Sequence, residues 1–222
     1  MTDLLPSVLV ETAEKPDAAI IWLHGLGSDG HDFESLVPAL GIQPDQKWRF
    51  VFPHAPQRPV TVNGGMMMRA WYDIYEMTLE RKVDMANIEE SCQQIEALVS
   101  AQIASGIDAS RIVLAGFSQG GVIAYQLALT TQHSLAGVMA LSTYLANKSD
   151  LPGADNCPNG TTPFLIHHGS QDPVVSPSLA LDAKKALSDQ GFEVEYKTYD
   201  MPHSVCPEQV ADISAWLHAR LS

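Results

Sequence analysis

Gly116-Phe117-Ser118-Gln119-Gly120 sets a serine between two glycines in the pattern G-x-S-x-G. A serine hydroxyl is a weak nucleophile at neutral pH and becomes useful when an adjacent base takes its proton. Five such residues are a weak signal alone, but their context strengthens it. The apolar run Arg111–Ala115 (RIVLA) reads as a strand, and the run VIAYQLAL that begins at Val122 reads as a helix. A sharp strand–turn–helix lifts a serine Oγ above the end of a sheet. Glycines are needed there because strand and helix backbones approach closely.

The base must be a histidine whose tautomer a third group sets, and on such a scaffold the chain order is serine, acid, histidine. His133, His167, His168, His203 and His218 follow Ser118. His133 lies just past the elbow helix, before an acid can be placed. His167 and His168 end a strand and precede the best acid. His218 falls on the last helix. His203 follows the final strand, in the loop Asp200-Met201-Pro202-His203-Ser204 at the carboxyl edge of the sheet, and is the expected base. Asp172 lies four residues after the strand Pro163–His168, and Pro173 keeps it out of helical conformation. Asp182 and Asp189 fall within a helix pattern, so Asp172 is the expected acid. As a bland alternative, Asp172 would be a turn residue satisfying local backbone donors.

Acyl transfer develops negative charge on a carbonyl oxygen, which preorganised N–H donors must meet. One expected donor is the N–H of Gln119, directly after the nucleophile. The second should come from a loop after an early strand. His24-Gly25-Leu26-Gly27 follows Ala19–Leu23 (AIIWL), and Leu26 is the expected donor.

These residues need a scaffold of strands alternating with helices. Trp48–Phe52, Leu135–Leu141, Pro163–His168 and Glu193–Tyr199 read as further strands. Asn87–Ile103 carries Ile88, Cys92, Ile95, Val99 and Ile103 on one helical face. Gln119–Leu129, Ser178–Ser188 and Pro207–Ala219 read as helices too. The alternation predicts an α/β fold with a mostly parallel central sheet and helices on both faces. Pro53–Tyr72 and Thr143–Thr162 are the longest irregular stretches, a length that usually serves function. With no repeat and no linker, residues 1–222 are expected to form a single domain.

The 222 residues are 45% hydrophobic and 18% charged, with a formal net charge of −13. The acidity and the lack of a basic run argue against nucleic acid. Cys92, Cys157 and Cys206 form neither a disulfide framework nor a CxxC metal pattern, which fits a reducing compartment. The N-terminus lacks a signal-peptide pattern and no apolar run reaches membrane-span length. A cytoplasmic protein is expected. His24, His31, His54, His167 and His168 lack ligand spacing with a carboxylate or cysteine, so neither metal nor cofactor is expected.

The chain resembles the carboxylesterase, lysophospholipase and acyl-protein thioesterase family of small α/β hydrolases. The resemblance rests on WLHGLGSDGHDF (Trp22–Phe33), FPHAPQRPVTVNGG (Phe52–Gly65), AWYD (Ala70–Asp73), GFSQGG (Gly116–Gly121), HHGSQDPVV (His167–Val175) and MPHSV (Met201–Val205). It runs over nearly the whole chain and is closest to the bacterial-type carboxylesterases. It implies the α/β-hydrolase fold and metal-independent hydrolysis of carboxylic esters and thioesters by Ser118, Asp172 and His203. It also implies Leu26 and Gln119 as oxyanion donors, and Trp71 as part of an acyl pocket. The expected activity is a serine carboxylesterase acting on short- to medium-chain acyl esters or lipid-like substrates. Lysophospholipase and acyl-protein thioesterase are the alternatives within the same chemistry. An inactivated hydrolase used as a binding module is argued against by the intact triad. A peptidase of the same triad order usually needs a gating domain, for which 222 residues leave no room. Met66, Met67 and Met68, followed by Ile74, Tyr75, Met77 and Leu79, are adaptable apolar residues. They suit either a mobile cover for an acyl chain or ordinary core filling. Apolar patches near the site mouth, common in this family, would allow a homodimer.

Overall fold

The computed structural model describes residues 4–78 and 81–222. In chain order the strands are β1 (Ser7–Glu11), β2 (Ala18–Leu23), β3 (Trp48–Pro53), β4 (Gln57–Val60), β5 (Met66–Arg69), β6 (Ile74–Glu76), β7 (Lys82–Val83), β8 (Ile112–Phe117), β9 (Gly137–Leu141), β10 (Phe164–Gly169) and β11 (Val194–Tyr199). The helices are α1 (Met85–Ala104), α2 (Gln119–Thr130), α3 (Pro177–Asp189) and α4 (Pro207–Leu221). Seven strands form one sheet in the order β1-β3-β2-β8-β9-β10-β11. All neighbours pair in parallel except β1 with β3. This is the mostly parallel sheet of the α/β-hydrolase class.

The central strands are apolar at consecutive positions because both faces are covered. Ala19, Ile21 and Leu23 of β2 pack in one core with Ile88 and Ile95 of α1, Ile123 of α2 and Leu179 of α3. Ala18, Ile20 and Trp22 pack in the other with Val210, Ile213 and Leu217 of α4. Successive side chains of a strand point to opposite faces, so one strand feeds both cores. Asp84 caps α1 by accepting the Asn87 N–H at 3.0 Å, one of the donors a helix start leaves open. Proline opens α3 and α4, where its missing N–H costs nothing.

Two features depart from the periodicity. Ser7–Glu11 forms the edge strand β1, pairing antiparallel from Ser7 opposite Pro53 to Glu11 opposite Arg49. The stretch Pro53–Tyr72, expected to be irregular, contains the β4–β5 hairpin closed by left-handed Gly64 and Gly65. Met66 and Met67 lie on that hairpin and are exposed at 63% and 60%, so core filling is excluded for them. Ile74 is buried, Tyr75 and Met77 are exposed, and Leu79 lies outside the described residues.

Candidate active site

Strands β2, β8, β10 and β11 point the same way. The loops that leave their carboxyl ends therefore gather on one edge of the sheet. His24–Gly27, Ser118, Asp172 and His203 all follow such strand ends.

Ser118 stands between β8 and α2 with φ 52° and ψ −118°. For a residue with a Cβ this backbone is strained, by a cost of about 1–3 kcal/mol. Its surroundings over-determine it. The Ser118 N–H donates to Leu141 O at 2.8 Å, and its carbonyl accepts from Gly121 N–H at 3.0 Å and Thr143 Oγ1 at 2.6 Å. The turn is also closed by contact. A methyl at Gly116 would sit 2.3 Å from the Gly120 carbonyl oxygen, and one at Gly120 would sit 2.6 Å from that of Leu23.

Asp172 and His203 are joined. His203 Nδ1–H donates to Asp172 Oδ2 at 2.6 Å, and Asp172 Oδ1 accepts the N–H groups of Val174 and Val175 at 2.8 Å each. Asp172 is buried, which by itself would raise its pKa. The hydrogen bonds from His168, His203, Val175 and Val174 outweigh that desolvation and hold the carboxyl well below its ordinary range. Close packing brings the two loops together. A methyl at Gly169 would lie 2.4 Å from the carbonyl oxygens of both Met201 and Pro202. The His203 ring rests against Phe117, the residue before the nucleophile, with centroids 4.7 Å apart.

The remaining histidines after Ser118 are otherwise engaged. His133 faces Glu96 at 3.4 Å, and the His218 ring lies tilted against Trp48 with centroids 5.1 Å apart. His167 and His168 are neighbours on β10 and so face opposite ways. His167 meets the Tyr199 hydroxyl on the α4 side. His168 is fully buried beneath the acid loop, where its Nε2–H donates to Val175 O at 2.8 Å and lies 3.4 Å from Asp172 Oδ2. The carboxylate thus has two histidines near it. His203 is the closer and the partly exposed one. Alternation along the strand says that His167 and His168 face opposite ways, and only the fold sets which of them meets Asp172.

The early loop is equally constrained. His24 is buried, its Nδ1–H donates to Gly25 O at 2.7 Å, and its Nε2 accepts the Ala55 N–H at 3.1 Å. Burial chiefly pushes its pKa down, in keeping with a neutral ring that donates at one nitrogen and accepts at the other. In a planar trans peptide the carbonyl and the following N–H point in opposite directions. Holding Gly25 O therefore aims the Leu26 N–H. Gln119 occupies the first position of α2, where a helix leaves its N–H groups without intrahelical acceptors.

Trp71 has no exposed surface, so it offers no open face to an acyl chain. Its indole Nε1–H donates to His24 O at 2.9 Å and its peptide N–H donates to Gln119 Oε1 at 2.8 Å. A small cleft of about 170 Å³ lies against the acid loop, bordered by Met77, Thr78, Arg81, Asp172 and Val174. A larger groove of about 590 Å³ runs between α1 and α2 and contains none of the candidate residues. Among the described residues no group of three or more His, Cys, Asp or Glu is arranged to hold a metal ion, and no helix is long and apolar enough to cross a membrane.

Comparison with known proteins agrees with this architecture. The sequence profile described as Phospholipase/Carboxylesterase matches residues 6–221. Acyl-protein thioesterase 1 of Neurospora crassa is 37% identical over 235 residues, covering 97% of this chain and 92% of that protein. The Debaryomyces hansenii protein of the same name is 35% identical over 222 residues, covering 96% and 95%. The crystal structure of Zea mays acyl-protein thioesterase 2 superposes with a TM-score of 0.87 at 26% identity, covering 98% of this chain and 99% of that one.

Proposed function

Because the chain belongs to the phospholipase/carboxylesterase family of α/β hydrolases, and is thus a carboxylic ester hydrolase, we propose that it cleaves acyl esters and thioesters through an acyl-enzyme on Ser118. The observation that carries this reading is the 2.6 Å bond between His203 and a buried, N–H-anchored Asp172, at the sheet edge that also bears the strained Ser118.

In the first step Ser118 Oγ bonds to the substrate carbonyl carbon, and His203 Nε2 takes the hydroxyl proton. The carbonyl π electrons move to oxygen, and that oxyanion is met by the N–H groups of Gln119 and Leu26. Collapse breaks the bond to the leaving oxygen or sulfur, which takes the proton from His203. A water molecule then repeats the sequence on the acyl-enzyme and releases the carboxylic acid. Asp172 accepts from Nδ1–H throughout, which leaves Nε2 free as the base and stabilises the imidazolium.

Ser118→Ala is expected to lower kcat by about 10⁶-fold with the fold intact. A fluorophosphonate should label Ser118 one to one in the parent. Label on another serine would remove the assignment.

The curated relatives named acyl-protein thioesterase favour the thioesterase form of this reading over a short-chain esterase. Met66 and Met67 are exposed on the hairpin whose Arg69 carbonyl accepts the Gly27 N–H of the early loop, and they supply an adaptable apolar surface for a long acyl chain. A p-nitrophenyl ester series from acetate to palmitate, run beside a lysophospholipid and an S-acyl peptide, separates the alternatives. Replacing Met66 and Met67 by serine should raise KM for long chains, leave acetate unchanged and alter stability by less than about 0.5 kcal/mol. Equal effects on all chain lengths would exclude the hairpin from acyl binding.

A further inference from the structure

The two proposed oxyanion donors stand on segments far apart in the chain, the loop after β2 and the first turn of α2. One segment of the irregular region, 69–72, is bonded to both. On the α2 side, Gln119 is buried and both polar atoms of its amide are engaged: Oε1 accepts the Trp71 N–H at 2.8 Å, and Nε2 donates to Tyr72 O at 2.6 Å. On the β2 side, the Trp71 indole donates to His24 O at 2.9 Å, and Gly27 N–H donates to Arg69 O at 2.8 Å. Ser91 Oγ of α1 donates to the Trp71 carbonyl from behind.

We infer that Trp71 and the Gln119 side chain are positioning residues that together set the separation and aim of the Leu26 and Gln119 N–H donors. The inference rests on Ser118 being the nucleophile, as proposed above.

The physical reason is the steep dependence of oxyanion stabilisation on donor placement. Donors act when they already lie about 2.7–3.1 Å from where the oxyanion forms. The His24 ring aims the Leu26 N–H from within its own loop, but that loop does not by itself set the distance to the Gln119 N–H. Leu26 is half-buried in a glycine-flanked loop, and the Gln119 N–H belongs to a helix that meets that loop without a direct hydrogen bond between the two donors' peptides. Trp71 offers two donors on one rigid side chain and backbone, so its indole and peptide N–H bridge both segments at once. Buried amide and indole groups are costly unless paired. Removal of one partner would leave its counterpart to find a new geometry and would carry a donor with it.

The test compares Gln119→Met, which keeps length and loses both polar atoms, with Trp71→Phe, which keeps the peptide N–H and loses the indole donor. Fluorophosphonate titration counts competent sites, and kcat/KM is then expressed per titrated site. An alkyl trifluoromethyl ketone reports the oxyanion hole directly. Ser118 Oγ adds to its carbonyl, the oxygen becomes an oxyanion, and the serine proton passes to His203. Each variant is expected to lose about 10- to 100-fold in kcat at little changed KM. Its ketone affinity should weaken in proportion to kcat/KM, and the double variant should lose less than the product of the two.

Parental kcat/KM and ketone affinity per titrated site, whatever the change in Tm, would overturn the inference. A merely structural role moves Tm and the number of titratable sites, and does not move those two quantities. If Trp71→Phe does not fold, Gln119→Met decides. If neither folds, Ser91→Ala decides, with a proportional loss of about 2- to 10-fold expected and parental values again fatal. A parent enzyme that is not labelled at Ser118 would remove the functional reading and this inference together. Labelled parent with unaffected variants removes the inference alone.

Discussion

At the scale of the residue, Asp172 shows how one carboxylate can be kept ionised inside a protein. Burial opposes the charge, and two backbone N–H groups with two histidines reverse the balance. Asp200 lies only three residues from His203 and would be the acid by proximity in sequence. It is exposed and accepts instead from Gln171 Nε2. Asp172→Asn is therefore expected to cost about 10⁴-fold in kcat, because an amide cannot hold the His203 tautomer. Asp200→Asn should cost less than about tenfold, as a surface substitution away from the bond. Steady-state rates on one activated ester decide it, and reversed effects would move the acid to Asp200.

At the scale of the element, strands end where the chain must come close to itself. Gly169 closes β10 against the carbonyls of Met201 and Pro202 in the loop that carries His203. Gly169→Ala should force that loop outward. The expected cost is about 1–3 kcal/mol of stability from overpacking, with a loss of phosphonate labelling rate at Ser118 that exceeds the loss of folded protein. Urea denaturation and the labelling rate, measured on the same sample, check both parts. A labelling rate per folded molecule equal to the parent would mean that the loops can separate without harm.

At the scale of the whole molecule, acid should destabilise the fold before its carboxylates are protonated. His167 is buried between β10 and α4, and desolvation lowers its pKa to about 4, with Asp212 opposing and Lys197 assisting. The unfolded chain binds a proton near pH 6.5 and the folded chain does not until about pH 4. The stability His167 contributes as a neutral ring is thus complete above 6.5 and is lost as pH falls toward 4, a change of about 3 kcal/mol. Burial of His24 acts in the same sense. Asp172 extends the loss below the ordinary aspartate range, since its folded carboxyl stays ionised there. His167→Phe should flatten the slope of unfolding free energy between pH 6.5 and 4.5. An unchanged slope would assign the acid sensitivity to other groups.

Local chemistry was legible in the sequence wherever it depended on neighbours in the chain. The elbow around Ser118 is a strand, a tight turn and a helix in succession, so glycine spacing and apolar runs were enough to read it. The five buried parallel strands were legible for the same reason, since burial on both faces writes a continuous apolar run, and the edge strand β11 was legible from its β-branched and aromatic residues. Edge strand β1 was not, because its residues are mostly half-exposed and leave no such run. The β4–β5 hairpin was hidden by its own composition, with Pro59 in one strand and three methionines in the other. Asp172 and His203 were chosen from chain order and loop position, but their bond spans 31 residues. Trp71 reaches Gln119 across 48. Such pairs depend on strand order, which places β2 beside β8 and β10 beside β11, and no local periodicity encodes which strands become neighbours. The sequence therefore determined which residues could carry the reaction. Tertiary structure alone decided that His168 lies beneath the acid and that Trp71 ties the two donor segments together, because both depend on contacts between elements that meet only after the sheet has formed.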